Sequence, residues 1–188
     1  DLSGIYLDIC KDRLYCDSKN SARRISAQSA MSLIAKALLS LVAPTLTYTV
    51  DEALSSAPSA IKGDWSDVFS ISEFKLDFDF GIDASFLLAS RELFNESIDK
   101  LKKDKIIKST LELELVTDSR RILALCDEFG DDISDFYGVS AVVAKESGEV
   151  LCEVLCKFAC DEANFSTQKA TAFKCPRCWK FNASKTDA

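Results

Sequence analysis

A regular apolar seam in residues 22–42 constrains the fold more than any other feature of this chain. Its members recur at spacings of four, three, four and three, the pattern of a long helix that packs against other helices. They are Ala27, Met31, Ile34, Leu38 and Leu41. Pro44 ends the helix, because proline disfavours the helical conformation in the preceding residue. The sequence therefore predicts a helix from about Ala22 to Val42 within a helical bundle.

Two further helices are predicted beside this one. Residues 1–16 carry apolar residues at helical spacing, and the polar stretch 17–21 separates them from the long helix. Thr49 followed by Glu52 is a capping-box pattern, which predicts a short third helix that ends near Ser56. We therefore expect residues 1–57 to form part of an antiparallel helical bundle.

The rest of the chain is predicted to combine helices with a small sheet, so that the fold class is α+β. Residues 58–83 mix aromatic and acidic side chains, as a connector that packs onto its neighbours would. Residues 84–168 form a small α+β domain in this prediction, and residues 169–188 form a separate terminal segment. The predicted elements of the small α+β domain are a helix over 83–103, a strand over 110–117, a helix over 119–129, and two strands over 139–144 and 150–158 joined by a hairpin turn.

Cys175 and Cys178 give the strongest chemical signal, because two cysteines at this spacing can direct both sulfurs to one ion. A structural zinc site needs four ligands, and this pair supplies two. We therefore expect a truncated zinc knuckle in a longer protein. Two free thiols in a surface turn, or a redox pair activated by nearby cations, remain alternatives. Cys152, Cys156 and Cys160 are expected to be small core residues, or one of them completes the zinc site.

Positive charge is concentrated around the cysteine pair. The whole chain has a net charge of −7, which argues against a general polyanion binder. Residues 169–188 nevertheless carry five basic residues against one acid, Asp187. Arg177, Trp179 and Lys180 combine a flat aromatic side chain with cations, the pair of features that binds unpaired bases and phosphates. Lys11, Arg13, Arg23, Arg24 and Lys36 form either a solvated helical face or a second phosphate-contacting face.

Several function classes are excluded or disfavoured by the sequence. The chain has no histidine, so His-based catalysis is excluded, and it has no phosphate-binding loop. No continuous apolar run reaches the length of a membrane span, and no signal peptide is recognisable, so we expect a cytoplasmic protein with reduced thiols.

Several motifs together resemble the anticodon-binding region of isoleucyl-tRNA synthetases of the bacterial type. The stretch DLSGIYLD at residues 1–8, the stretch KDRLYCD at 11–17, RRISAQ at 23–28 and LVAPTL at 41–46 are similar to the helical domain of these enzymes. The stretch IKSTLE at 107–112 resembles the segment after it, and KCPRCWK at 174–180 resembles the first half of the C-terminal zinc knuckle. The two end motifs are specific, and the middle of the chain is only weakly similar.

This resemblance implies a C-terminal fragment of a class I ligase that joins isoleucine to tRNA(Ile) with ATP. The ATP and Mg²⁺ sites would lie in a catalytic domain that this fragment lacks, so the fragment itself would position tRNA without catalysis. Zinc would be held in the full-length protein by Cys175, Cys178 and a second pair beyond this sequence. The expected tRNA-binding residues are Lys11, Arg13, Arg23, Arg24, Arg177, Trp179 and Lys180. The parent enzyme is expected to be a monomer that binds no DNA and no membrane. A zinc-ribbon protein-interaction module or a thiol redox module without RNA remains the alternative.

Overall fold

The computed structural model describes residues 2–74, 84–145, 155–160 and 163–183, and the chain divides between residues 81 and 82 into two compact units. The mixture of helices and sheet that the sequence predicts is confirmed. Unit 1 is helical. A π-helical turn over Leu2–Tyr6 leads into α1 (Leu7–Tyr15), α2 (Ala22–Val42), α3 (Thr47–Ser56) and α4 (Ser59–Lys62), and a 3-10 turn covers Val68–Ser70.

The long helix of unit 1 forms where the seam predicts it, but the C-terminal end of the seam is exposed. Ser21 caps α2 by accepting a hydrogen bond from the Arg24 amide. Ala27 is buried, whereas Leu38 and Leu41 are 45% and 75% exposed. By length and composition α2 also satisfies the requirements of a membrane span. Because long apolar helices of soluble bundles share this property, the expectation that no membrane is involved stays a prediction.

The core of unit 1 forms where α2 and α3 meet the segment after α4. Trp65 packs there with Val50 and Leu54, and all three are buried. The Lys36 ammonium group lies 4.9 Å from the centre of the Trp65 ring and 5.4 Å from that of Phe74. These cation–π contacts help to hold residues 65–74 against α2.

One detail of unit 1 corrects the sequence prediction. Helix α3 begins at Thr47, two residues before the predicted cap, and Leu46 precedes it without a side-chain hydrogen bond. The predicted capping box of Thr49 and Glu52 is therefore wrong. The first turn of the helix instead follows directly from the turn after Pro44, where the Val50 amide donates to the Leu46 carbonyl at 2.9 Å.

In its described residues, unit 2 combines a four-stranded sheet and a two-stranded sheet with three helices. Its elements are α5 (Ala84–Lys103), a 3-10 turn (Thr110–Glu112), β1 (Leu113–Thr117), α6 (Arg120–Phe129), α7 (Asp131–Tyr137), β2 (Ala141–Ala144), β3 (Cys156–Cys160), β4 (Ala163–Lys169), β5 (Phe173–Lys174) and β6 (Phe181–Ala183). The larger sheet has the order β2-β1-β4-β3, and β5 pairs with β6.

The strand pairing of unit 2 differs from the predicted hairpin. Strand β2 pairs in parallel with β1, whereas β3 pairs antiparallel with β4. β2 and β3 therefore lie at opposite edges of the sheet, and the hairpin predicted between 139–144 and 150–158 is wrong. Its predicted turn, together with Cys152, falls largely outside the described residues. Strand β4, which the sequence analysis missed, is one of the two central strands.

The core of unit 2 lies between α5 and the sheet. The Phe158 and Phe165 rings, on paired positions of β3 and β4, stack with their centres 4.8 Å apart. Phe94 of α5 meets the Tyr137 ring edge-on at 5.8 Å. The buried Tyr137 and Ser90 hydroxyls lie 2.7 Å apart in a hydrogen bond, and burial raises the pKa of Tyr137 to about 12. This core fixes the position of α7, which carries Ser134 and Asp135.

Candidate nucleic-acid interface

The cysteine pair lies at the tip of the short hairpin formed by β5 and β6. The Cys175 amide donates to the Lys180 carbonyl at 2.8 Å, and the Trp179 amide donates to the Cys175 carbonyl at 2.9 Å. These two bonds close a tight turn over residues 176–178. We call residues 174–180 the knuckle.

Backbone amides of the knuckle point at the two sulfurs. The Cys178 amide lowers the pKa of the Cys175 thiol by donating to its sulfur, and the Arg177 amide adds to the effect. Burial raises the pKa of the Cys178 thiol, and a hydrogen bond from the Lys180 amide opposes this. Such amides stabilise thiolate, which is the form that binds a metal.

The knuckle fits one half of a zinc site. Soft thiolates at this spacing suit Zn²⁺, which takes four ligands when its role is structural. Among the residues that the structure describes, no cluster of three or more potential ligands is present. Cys156 hydrogen-bonds to Thr167 on β4 at 3.0 Å, and Cys160 is buried in the core of unit 2. The described cysteines of β3 therefore act as core residues, in agreement with the first of the two alternatives for them.

Trp179 presents its ring to solvent beside two cations. Its side chain is 63% exposed, the Lys174 ammonium group lies 5.2 Å from the ring centre, and Arg177 is exposed on the same turn. The backbone of Trp179 has a φ of +65°, a left-handed conformation that glycine adopts with least strain. A large aromatic residue at such a position costs stability and exposes its apolar face.

Lys180 points the other way, into unit 2. Its ammonium group forms an ion pair with the Asp135 carboxylate of α7 and donates to the Ser134 hydroxyl at 3.3 Å. Both charged side chains are less than a tenth exposed. This ion pair occupies the ammonium group that we expected to contact RNA. We therefore assign Lys180 to the attachment of the knuckle and remove it from the proposed tRNA-contacting set.

A second attachment lies one residue further along. The Phe181 amide donates to the Ser140 hydroxyl at 2.7 Å, and that hydroxyl donates to the Leu111 carbonyl. The knuckle is thus fixed to both α7 and the segment that leads into β1.

The predicted basic residues of unit 1 are only partly available at its surface. Lys11 is exposed but pairs with Asp8 at 2.8 Å. The Arg24 guanidinium donates to the Asp17 carbonyl at 3.3 Å. Arg13 and Arg23 are half-buried and are engaged by other residues. The proposed phosphate contacts of these four residues stay predictions.

Comparison with known proteins decides the family. A profile described as the anticodon-binding domain of tRNA ligase matches residues 1–117. The chain belongs to this family. The matched region includes all of the described part of unit 1 and continues through α5 and β1 of unit 2.

Relatives extend the similarity over the whole chain. Isoleucine–tRNA ligase of Campylobacter fetus subsp. fetus is 58% identical over 187 residues, that of Campylobacter jejuni subsp. jejuni is 50% identical over 188, and that of a Sulfurovum species is 46% identical over 188. Each comparison covers all of this chain and 19–20% of the relative. The chain thus spans about a fifth of the length of the relatives it matches, and the knuckle lies within the shared region.

Proposed function

We propose that this chain binds the anticodon arm of tRNA(Ile) as part of an isoleucine–tRNA ligase. The observation that carries the proposal is the match to the anticodon-binding family, together with whole-length similarity to enzymes of that name. The exposed Trp179 ring beside Lys174 and Arg177 gives a physical means of binding, because unpaired RNA bases stack on aromatic side chains while cations contact phosphates.

The chemical step belongs elsewhere in such an enzyme. This chain has no histidine and no nucleotide-binding signature, so ATP, Mg²⁺ and activated isoleucine have no recognisable site in it. Its contribution is to bind and orient tRNA. The matches to known proteins favour neither the zinc-ribbon interaction module nor the thiol redox module.

We further propose that Cys175 and Cys178 are two ligands of a structural zinc ion. When bound, zinc would stiffen the turn that carries Arg177 and Trp179. The amides directed at the two sulfurs support this role. The remaining ligands would come from residues outside the described part of the chain.

Titration of fluorescently labelled tRNA that carries an isoleucine anticodon tests the proposed function. We expect saturable binding at about 0.05 M salt that weakens as salt rises, because phosphate contacts release counterions. We also expect no isoleucine-dependent pyrophosphate exchange by the same preparation. Absence of tRNA binding, or detectable exchange, would contradict the proposal.

A further inference from the structure

A cluster of lysines lies at the end of α5, where the sequence analysis did not expect a functional site. Residues 100–108 contain five lysines and one acid, Asp104, so this stretch carries a net charge of +4 in a chain of net −7. The lysines are Lys100, Lys102, Lys103, Lys105 and Lys108, and all five are exposed. Among the described residues, none of their ammonium groups has an ion-pair partner.

The cluster lies on an ordered turn. The Ile106 amide donates to the Leu101 carbonyl and the Lys105 amide donates to the Lys102 carbonyl, at 3.0 and 3.1 Å. This is the Schellman arrangement that ends many helices. Ile107 is only 3% exposed and anchors the turn in the core of unit 2. The backbone that carries the lysines is therefore ordered around the end of the helix.

Lys105 occupies the one position of this turn where glycine is usual. Its φ of +56° is in the left-handed region, which costs a non-glycine residue stability. Lysines at a helix C-terminus commonly complement the helix dipole. Lys105 and Lys108 lie beyond the last helical residue, where the effect of the helix dipole falls off.

Hydrogen bonds connect the segment that follows this cluster to Phe181, the residue that follows the knuckle. Three residues after Lys108, the Leu111 carbonyl accepts from the Ser140 hydroxyl, which in turn accepts from the Phe181 amide at 2.7 Å. Phe181 is two residues from Trp179. Because each residue spans at most about 3.6 Å, the Cα atoms of Lys108 and Trp179 lie within about 30 Å of each other. RNA carries a phosphate at every nucleotide, so a single RNA can contact both places along its backbone.

We propose that Lys102, Lys103, Lys105 and Lys108 form a second phosphate-binding surface, which contacts the backbone of the same RNA whose unpaired bases meet the knuckle. This inference rests on the proposed tRNA-binding function and adds the surface that holds the stem. The lysines supply point charges to phosphates and read no bases, so their contribution is independent of anticodon sequence.

The double variant Lys105→Gly with Lys108→Gln tests this surface. Glycine fits the left-handed position, so Lys105→Gly removes charge while it preserves or raises the melting temperature. Each phosphate contact changes log K by about 0.7–0.9 per decade of salt concentration. Between ~1 M and ~0.1 M salt, each contact therefore strengthens binding by a factor of about five to eight. We therefore expect tRNA binding about 25- to 60-fold weaker at ~0.1 M salt, with the salt slope reduced by about 1.4–1.8.

Lys157→Gln is the matched control. Lys157 is also exposed, and it lies on β3, at the opposite edge of the sheet from β2. The knuckle is attached near β2, through the hydrogen bond from Phe181 to Ser140. The control should leave both affinity and salt slope unchanged. The double variant should weaken tRNAs with isoleucine and non-isoleucine anticodons equally.

The possible outcomes separate this inference from the proposed function. If the unaltered chain binds tRNA, and the folded double variant keeps the same affinity and salt slope, the lysine surface is refuted and tRNA binding stands. If Lys157→Gln weakens binding as much as the double variant does, the contribution is general charge and the localised surface is refuted. If the unaltered chain does not bind tRNA, both proposals fail.

Discussion

The Lys180 ammonium group is buried against the Asp135 carboxylate, and this ion pair joins the knuckle to α7. A charge removed from water is costly unless it is paired, so loss of either partner leaves an uncompensated buried charge. The neighbouring Trp179 has the opposite orientation and is 63% exposed. Of these two adjacent residues, Lys180 attaches the knuckle to α7 and Trp179 is exposed to solvent.

Asp135→Asn should destabilise unit 2 by about 3–5 kcal/mol, the usual cost of breaking a buried ion pair from one side. Urea unfolding monitored by circular dichroism measures this change. The double variant Lys180→Met with Asp135→Leu should recover much of the loss, because no buried charge remains. If the single variant unfolds at the same urea concentration as the unaltered chain, Lys180 is not anchored as described.

Trp179→Gly should weaken tRNA binding by about 1–3 kcal/mol, the size of a lost base stack. Glycine also relieves the left-handed backbone at this position, so the knuckle should become no less stable. Fluorescence titration with labelled tRNA gives the affinity, and thermal melting gives the stability. A variant that melts earlier but binds tRNA as tightly as before would show that the ring serves packing alone.

Cys175→Ser should abolish binding of Co²⁺, a spectroscopic substitute for Zn²⁺, at the knuckle. Thiolate ligation gives an intense near-ultraviolet charge-transfer band, which the serine variant should lack. Because the described residues supply two of four ligands, we expect the 188-residue chain to bind the metal weakly, and a full-length protein to hold about one zinc ion. Cys160→Ser, in the core, is the control for metal binding. Equal Co²⁺ spectra for the unaltered chain, the Cys175→Ser variant and the Cys160→Ser variant would exclude the knuckle as the metal site.

Asp118 makes unit 2 sensitive to acid. Hydrogen bonds from the backbone amide of Asn164, at 2.8 Å, and from its side-chain amide, at 2.9 Å, lower the pKa of the Asp118 carboxyl. A lowered folded-state pKa stabilises the fold above the unfolded pKa of about 3.9, and this contribution disappears as the pH falls through the folded value.

Asp118→Asn should therefore reduce stability at pH 7 by about 1 kcal/mol, a small value because the carboxylate is exposed. At an acidic pH below the folded-state pKa of Asp118, the variant and the unaltered chain should differ much less, since both then lack the charge. Urea titrations at the two pH values measure the difference. An equal loss of stability at both would show that the charge of Asp118 contributes nothing.

The sequence predicted those elements whose burial follows a regular period. The helix predicted over 83–103 is α5 (Ala84–Lys103), in which Phe86, Ser90 and Phe94 are buried. Strand β4 was missed because it buries the consecutive polar residues Ser166 and Thr167, so no alternation of polar and apolar residues marks it. The Thr167 hydroxyl hydrogen-bonds to Cys156 of β3 at 3.0 Å, and the other neighbour of β4 in the sheet is β1, which is distant in sequence.

The candidate site, too, was predicted where its features are local in sequence and missed where they depend on distant residues. Motif spacing identified Cys175, Cys178 and Trp179, because a turn that presents two thiols is encoded locally. The burial of Lys180 depends on Asp135, which lies 45 residues away, and nothing in a stretch rich in lysine distinguishes a buried member from exposed ones. The parallel pairing of β1 with β2 was also missed, because it joins strands separated by two helices.

The central claim is that this chain recognises the anticodon arm, and a comparison of two tRNAs tests it most directly. One is tRNA(Ile), and the other is identical except that its anticodon bases are replaced. Binding of each to the 188-residue chain should be measured at the same salt concentration. We predict that the replacement weakens binding by about 1–3 kcal/mol, the usual cost of losing specific hydrogen bonds to a base edge, because any base can still stack on an aromatic ring. Equal affinity for the two tRNAs would contradict the claim.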